Sequence, residues 1–432
     1  MDNLIPSTIT KNKTSKTLLL SLVFAPDSVS TAILLTELSQ QLKNIGNDFT
    51  VITTTPHYNH DPEISEKQPL TPLWGHFLFQ SDCQGVPVYH VRVHAKGKRV
   101  LTRLYDYLFF HVISVFIGLR LKEKYDVILA SSPPLTIGLC AILLAWLRRV
   151  PFVYNVQEIF PDILVRMGSL KNRFLIYILE KMEKFIYDRA KAITVISEKF
   201  RQRLLAKGVP PSKLHVIPNF VDIDFFQPGQ RQNNFSQEHN LDDRFVVLYA
   251  GNIGLTQDFE TIIAAAELVQ DNPKICFLII GDGARREWLQ EQIREQGLQN
   301  VKYLPYQPHS VVPLLYASSD VCLVPLRRNT AFDTFPSKIY TIMAAGRPVI
   351  ASADKNSELT WVVEQTKCGI AIPPSDATAL ATTVKEIFSA PERLSEMGKI
   401  GREYVVEHHA PEIVAQQYDE LLKSIATVKQ SE

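Results

Sequence analysis

The sequence lacks a long apolar run, paired cysteines, a biased tract and any appreciable net charge, and each lack removes a class of function. No stretch reaches the ~18 uninterrupted apolar residues of a membrane span. Residues 108–119 include His111 and Ser114, and 135–147 stop at Arg148 and Arg149. The N-terminal apolar stretch, 17–25, is short, has no small-x-small cleavage pattern and ends at Pro26. It reads as a buried strand rather than a signal peptide. The five cysteines (Cys83, Cys140, Cys276, Cys322, Cys368) form no Cys-x-x-Cys pair. That argues for reduced thiols, a cytosolic setting and no zinc site. The 46 basic and 45 acidic residues leave a formal charge of +1, so bulk electrostatics does not favour a nucleic-acid partner. Neither G-x-x-x-x-G-K-[ST] nor a three-glycine dinucleotide fingerprint occurs, which disfavours P-loop chemistry and NAD binding.

What is present is an alternation of short apolar runs with helical patterns, the signature of stacked βαβ units and parallel sheets. At 432 residues the chain is too long for one core and suits two domains of roughly 200 residues. In the first half, strands are expected at 18–24, 49–53, 86–91, 127–130, 152–155, 192–196 and 214–217, with helices such as 33–43 and 174–190. Residues 227–244 are polar, Gln/Asn-rich and almost free of aliphatics, which reads as a linker. A second alternation follows, with strands at 245–250, 276–280, 301–303, 321–325, 349–351 and 370–372. Its helices fall at 260–270, 285–296, 311–317, 337–345 and 377–389. The expected division is a first α/β domain over 1–226, the linker, and a second α/β domain over 245–409. A last helix at 410–426 packs back towards the first domain. Two doubly wound domains in tandem put a cleft between their strand C-termini, where ligands of such sheets bind.

Three loops of the second half carry chemistry. Residues 333–350 hold Thr334 as a cap, Pro336 at a first helical turn, then Ser337 and Lys338. A helix start with a hydroxyl and a cation favours phosphate, although an ordinary helix with an exposed lysine carries the same pattern. Residues 249–257 place Gly251, Asn252, Gly254 and Gln257 between a strand and a helix, where glycines let backbone approach a ligand. Gly281-Asp282-Gly283 directly follows another strand and suits a tight turn facing the cleft. Two patterns imitate metal sites. Asp222-Ile223-Asp224 has no companion ligand, and His408-His409 reads as solvated histidines.

These motifs occur in an order that resembles glycosyltransferase family four. The strand and Gly-rich loop are followed by "IIGDGARR" (279–286), "SSDVCLVPL" (318–326) and "PSKIYTIMAAGRPVIAS" (336–352), which resemble that family's donor domain. "VIPNFVD" (216–222) looks like its crossover segment. "FAPDSVSTAILLTEL" (24–38), "ILASSPPLTIGL" (128–139) and "PFVYNVQEIFPD" (151–162) are similar to the capsule, exopolysaccharide and colanic-acid transferases within it. The resemblance spans about residues 17–425 and implies a GT-B fold, two Rossmann-like domains facing each other across a cleft. It implies a nucleotide diphosphate against the Gly251–Gly254 loop and the helix near Ser337. The base would lie near the Gly281–Gly283 turn and Tyr306. The implied activity is a retaining, metal-independent and cofactor-free hexosyl transfer from a UDP- or GDP-sugar to a lipid-linked or glycan acceptor of cell-surface polysaccharide synthesis. The chain departs from the family's pattern at four positions. Asn252 and Gln257 stand where many members have a diphosphate-binding Arg and Lys. Asp333 and Thr341 stand where many have glutamates, the second of which grips the ribose. Lys338 would then supply the phosphate charge, with Gly254 and Ser337 as neutral donors.

On the acceptor side, Gln157 stands where the family often has a histidine, with Glu158 and Asp162 beside it. A carboxylate there can orient or deprotonate an acceptor hydroxyl; the plainer reading is that Glu158 ties its loop to the backbone. Asp27, Ser28, Ser30 and Thr31 lie at the first βα turn, and His57 and Tyr58 end the second strand. Residues 92–103 carry Arg92, Lys96, Lys98, Arg99 and Arg103 without an acid and precede an apolar helical stretch. That pairing suits a cytoplasmic protein resting on an anionic membrane through 92–119, or equally a solvated loop before a buried helix. Two rival readings share the architecture: a sugar-nucleotide epimerase, and a silent nucleotide-sugar-binding scaffold.

Overall fold

The computed structural model describes residues 14–27, 29–57, 62–94, 100–166, 168–330 and 335–428. Ser28, Tyr58, Lys96, Lys98, Arg99, Asp333 and Thr334 therefore lie outside the described residues. Two sheets form. The first contains β1 (Lys16–Leu20), β2 (Asp48–Thr54), β3 (Thr71–Trp74), β4 (Leu78–Cys83), β5 (Val86–Val91), β6 (Val127–Ser131), β7 (Phe152–Val156), β8 (Ala192–Val195) and β9 (Leu214–Val216). Their spatial order is β3-β4-β5-β2-β1-β6-β7-β8-β9. The second contains β10 (Phe245–Ala250), β11 (Ile275–Ile280), β12 (Val301–Leu304), β13 (Val321–Pro325), β14 (Val349–Ser352) and β15 (Gly369–Ile372), in the order β12-β11-β10-β13-β14-β15.

The central strands read as unbroken apolar runs because both of their faces are covered: every residue of β11 and β13 is buried. Alternate residues of the first sheet feed opposite layers. Leu18 and Leu20 face the side of helices Val100–Arg120, Ile137–Arg148 and Arg173–Arg189. Leu19 and Val51 face helix Ser30–Asn44 and the C-terminal helix Pro411–Val428. That last helix is fixed to the first domain by Asn155 Nδ2, which donates to Tyr418 at 2.7 Å, and by Asn47 Nδ2, which donates to Asp419 at 2.7 Å.

Three features differ from the sequence expectation. The first sheet is mixed, because β4 runs antiparallel to both β3 and β5. Residues 227–244 are not a free linker. They hold a capped turn of helix, Asn234–Glu238, bury Phe235 and Leu241, and tie Arg231 to Asp320 at 3.1 Å. The polar look of this segment comes from side chains that bond to the second domain. His409 is not solvated either: it is 4% exposed, stacks on Tyr340 at 3.9 Å and bonds the Asn219 carbonyl through Nδ1 at 2.8 Å. Burial pulls its pKa down to about 4, so it stays neutral and braces the crossover segment. Asp222 likewise spends its carboxylate on a turn, accepting from the backbone N–H of Asp224 and Phe225 at 3.0 and 2.8 Å.

Candidate active site

In the parallel part of each sheet the strand order reverses at one place, between β1 and β6 in the first and between β10 and β13 in the second. Ligands of doubly wound sheets bind at such switch points, beyond the strand C-termini. The second crevice is opened by unequal pairing. β10 pairs with β11 along its whole length, but with β13 only at Val247 and Leu248. Beyond Leu248 the two strands part, and the loop after β10 occupies the gap.

That loop is locked to the neighbouring glycine turn. Gly251 N–H donates to Ile280 at 2.9 Å and Ile253 N–H to Asp282 at 2.8 Å. Gly281 has φ +148°, and a side chain there would run into the Gly251 carbonyl. Its freedom of backbone is thus used for loop against loop packing, where the sequence suggested approach to a ligand. Gly254 is also corrected. Its N–H donates to Gln257 Oε1 at 3.2 Å, so it is not a free phosphate donor, and Gln257 holds the loop's shape. Asp282 accepts from Gly283 N–H at 2.7 Å and pairs with Arg286 at 3.3 Å. Tyr306 lies exposed just beyond β12, on the same edge as this turn.

Lys338 opens helix Lys338–Ala344 and reaches back over the loop. Its Nζ lies 3.3 Å from the Ala250 carbonyl and 4.0 Å from the centre of the Tyr249 ring. A ring face contributes about 2 kcal/mol to a desolvated cation. A carbonyl adds a single hydrogen bond. Among the described residues no carboxylate pairs with it, so burial dominates and draws its pKa from an ordinary 10.5 to about 7. The helix start itself offers less than the sequence suggested, because the N–H groups of Ile339 and Tyr340 already bond Pro336 and Ser337 at 3.1 and 3.0 Å. With those two amides spent, the Lys338 cation carries the anion-seeking charge at this helix start. Pro336, Ser337 and Thr341 are half-buried beside it.

The first domain closes on this helix. Ser30 Oγ stands 3.3 Å from Ser337 Oγ, joining the N-termini of helices Ser30–Asn44 and Lys338–Ala344. Thr31 is half-buried on the next position. Asp27 and His57 meet behind them: the His57 N–H donates to Asp27 Oδ2 at 3.0 Å, and its Nδ1 lies 2.9 Å from Thr54 Oγ1. Asp27, Ser30, Thr31 and His57 thus follow β1 and β2, beyond the C-terminal ends of these strands.

Gln157 and Asp162 have other work. Gln157 Nε2 donates to Asn155 at 2.9 Å and its Oε1 accepts from Asn219 at 3.0 Å. This amide ladder joins β7 to the crossover segment, which gives Gln157 a bracing role there. Asp162 is bound by Arg203 at 2.9 Å and Lys207 at 2.6 Å, and Lys207 also pairs with Glu183 at 2.6 Å. Asp162 is thus a structural carboxylate. Glu158 is different: half-buried in the loop leaving β7, it has no hydrogen-bond partner among the described residues, and burial pushes its pKa up. It is not tied to the backbone. One residue escaped the sequence reading altogether. Glu37 lines the cleft from helix Ser30–Asn44, and its place in the stripe Ser30, Ile33, Leu34, Glu37 was the signal available.

Family models match both halves of the chain. Residues 32–219 match the Glycosyl transferase 4-like domain and residues 230–404 match Glycosyl transferases group 1. WcaI of Escherichia coli, named for colanic acid biosynthesis, is 25% identical over 93% of this chain and 98% of its own length. WbjE of Pseudomonas aeruginosa, named as a glycosyltransferase, is 28% identical over 68% of this chain and 74% of its own. Among solved structures, Anabaena HepE in complex with UDP superposes with a TM-score of 0.68 at 16% identity, over 95% of this chain and 100% of that one. Such a likeness speaks for the fold alone. With both family domains present in order on a two-sheet GT-B architecture, the chain belongs to glycosyltransferase family four, close to the exopolysaccharide transferases.

Proposed function

We propose that this protein moves a hexosyl group, with retention and without a metal or cofactor, from a UDP- or GDP-sugar to a lipid-linked or glycan acceptor in cell-surface polysaccharide synthesis. The observation that carries the reading is Lys338, a half-buried cation with no carboxylate partner among the described residues, held over the crevice where β10 and β13 part. A diphosphate there would supply the missing counter-charge. As the bond from anomeric carbon to phosphate oxygen breaks, negative charge grows on the leaving diphosphate, and Lys338 stabilises it. The acceptor hydroxyl attacks from the same face, its oxygen forms the new glycosidic bond, and its proton passes to the departing phosphate. Glu158, a carboxyl just beyond β7 with no hydrogen-bond partner among the described residues, would orient that hydroxyl. The name of WcaI supports the polysaccharide setting, that of WbjE supports a glycosyltransferase, and the UDP of HepE supports the donor class.

Thermal shift against UDP, GDP, ADP and dTDP tests the donor. A ligand at a hundred times its dissociation constant adds ~2.7 kcal/mol of stability, so one nucleotide is expected to raise the Tm selectively. No shift with any of them would point to a degenerate donor site and remove this reading.

The same reading places the protein on the inner face of the membrane through 92–119. No helix among the described residues is long and apolar enough to cross a bilayer. Helix Val100–Arg120 nevertheless exposes Leu104, Tyr105, Leu108 and Val112, each at 59% or more. Trp74 stacks on Phe116 at 5.7 Å beside them. An apolar ridge of this size resting in the headgroup region would bury several side chains at ~1.5–3 kcal/mol each. Replacing Leu104 and Leu108 together by Asp is expected to cut binding to anionic vesicles by at least about tenfold without lowering Tm. Unchanged co-sedimentation would remove the membrane from the proposal.

A further inference from the structure

A cavity of about 330 Å³ lies between the two domains, and its walls are chemically unlike. One face of helix Ser30–Asn44 forms the first wall through Ser30, Ile33, Leu34 and Glu37, spaced i, i+3, i+4 and i+7. The opposite wall is the start of helix Lys338–Ala344, with Ser337, Lys338 and Thr341. Ser30 and Ser337 meet within this lining, and Phe225 stacked on His309, with ring centres 4.3 Å apart, also belongs to it. Lys338 and Thr341 thus share the cavity with His309, in the segment that follows β12.

Glu37 is the anomaly in this space. It has neither a hydrogen bond nor an ion pair among the described residues, although it faces a cavity rather than bulk water. The neighbouring carboxylate, Asp222, is already engaged by two backbone N–H groups. Burial and the charge of Asp222 raise the Glu37 pKa to about 7, the behaviour of a carboxyl whose partner is missing. A lone carboxyl in a fold is costly, and a ligand with hydroxyl donors would satisfy it.

We propose that Glu37, from the acceptor-side domain, grips the ribose hydroxyls of the donor nucleotide and makes the site selective for ribonucleotides. This inference rests on the donor reading above. With a diphosphate on Lys338, the next group along the cavity is the nucleoside's ribose, one helical turn further at the level of Thr341. Thr341 brings one hydroxyl, which can donate as well as accept. Two neighbouring sugar hydroxyls need an acceptor that takes both, and a carboxylate does so. Because Glu37 and Lys338 belong to different domains, one nucleotide would bridge them. The ribose thereby reports binding to the first domain.

Binding of UDP, 2′-deoxy-UDP, GDP and 2′-deoxy-GDP is measured by calorimetry for wild type, Glu37→Gln and Glu37→Ala, with Tm as a folding check. Wild type is expected to prefer the ribonucleotide by about tenfold or more, a charge-assisted hydrogen bond's worth. Glu37→Ala is expected to bring that ratio close to one, and Glu37→Gln to an intermediate value, with affinity for the deoxynucleotide unchanged in both. A role in packing alone would move Tm or all affinities together and leave the ratio intact. An undiminished ratio in both variants, or no preference in wild type, overturns the role while leaving the donor site standing. Failure of wild type to bind any of the four removes the donor reading first and this role with it.

Discussion

Lys338→Ala is expected to depress turnover by ~10²–10³-fold while leaving Tm unchanged or raised. The two halves of that expectation come from one observation. Folding strips water from the ammonium and, among the described residues, gives back a carbonyl at 3.3 Å and a ring face at 4.0 Å. The free protein therefore gains little from the charge and loses nothing essential when it goes. In the reaction the balance reverses, since the departing diphosphate is the counter-ion the site lacks, and the interaction strengthens as charge develops. Activity and Tm measured on the same preparation separate the two effects. Wild-type turnover would reject the phosphate role. A large fall in Tm would show that Lys338 is a packing residue.

Much of the architecture was legible because apolar runs declare buried strands. β10, β11 and β13 carry unbroken aliphatic or aromatic sequences, and their bounds fall within a residue or two of expectation. β3 and β4 were not legible. Thr71–Trp74 is exposed throughout and Leu78–Cys83 is only partly buried, so neither has the signal of a doubly covered strand. Their antiparallel edge makes the sheet mixed. Within the site, sequence order located Lys338 and the glycine loops, but partners decided their roles. Gly254 looks like a phosphate donor until Gln257 is seen to occupy its N–H. Asp162 looks like a cleft acid until Arg203 and Lys207 claim it. Their partners lie between three and 45 residues away, and no spacing rule reveals which side chain turns towards which. Glu37 was missed for the converse reason. A glutamate in a helix is ordinarily a solvated residue, and only the opposite domain turns its surface into a cavity wall.

Nucleoside diphosphate affinity is expected to be greatest near pH 6–7 and to fall by about tenfold per pH unit above that, through at least pH 8–9. In the free protein Lys338 is drawn from 10.5 to about 7, so above neutrality most molecules hold it neutral. Binding a phosphate favours the charged form and raises the pKa again, so binding takes up a proton and weakens as protons become scarce. Below ~6 the terminal phosphate begins to protonate and opposes this gain. The same shift governs stability with the opposite partner. Between about 7 and 10.5 the unfolded chain binds the proton that the folded chain has released, so this residue's contribution to stability rises with pH across that window. Lys338→Arg keeps the charge at every accessible pH, because guanidinium does not titrate there. Its affinity is expected to stay level from pH 7 to 9 while wild type declines. Calorimetry at pH 8 in buffers of different ionisation enthalpy is expected to show proton uptake by wild type and none by Lys338→Arg. Equal slopes in the two proteins would place the titrating group elsewhere, with Glu37 the first to test, since a carboxyl of raised pKa faces the same cavity.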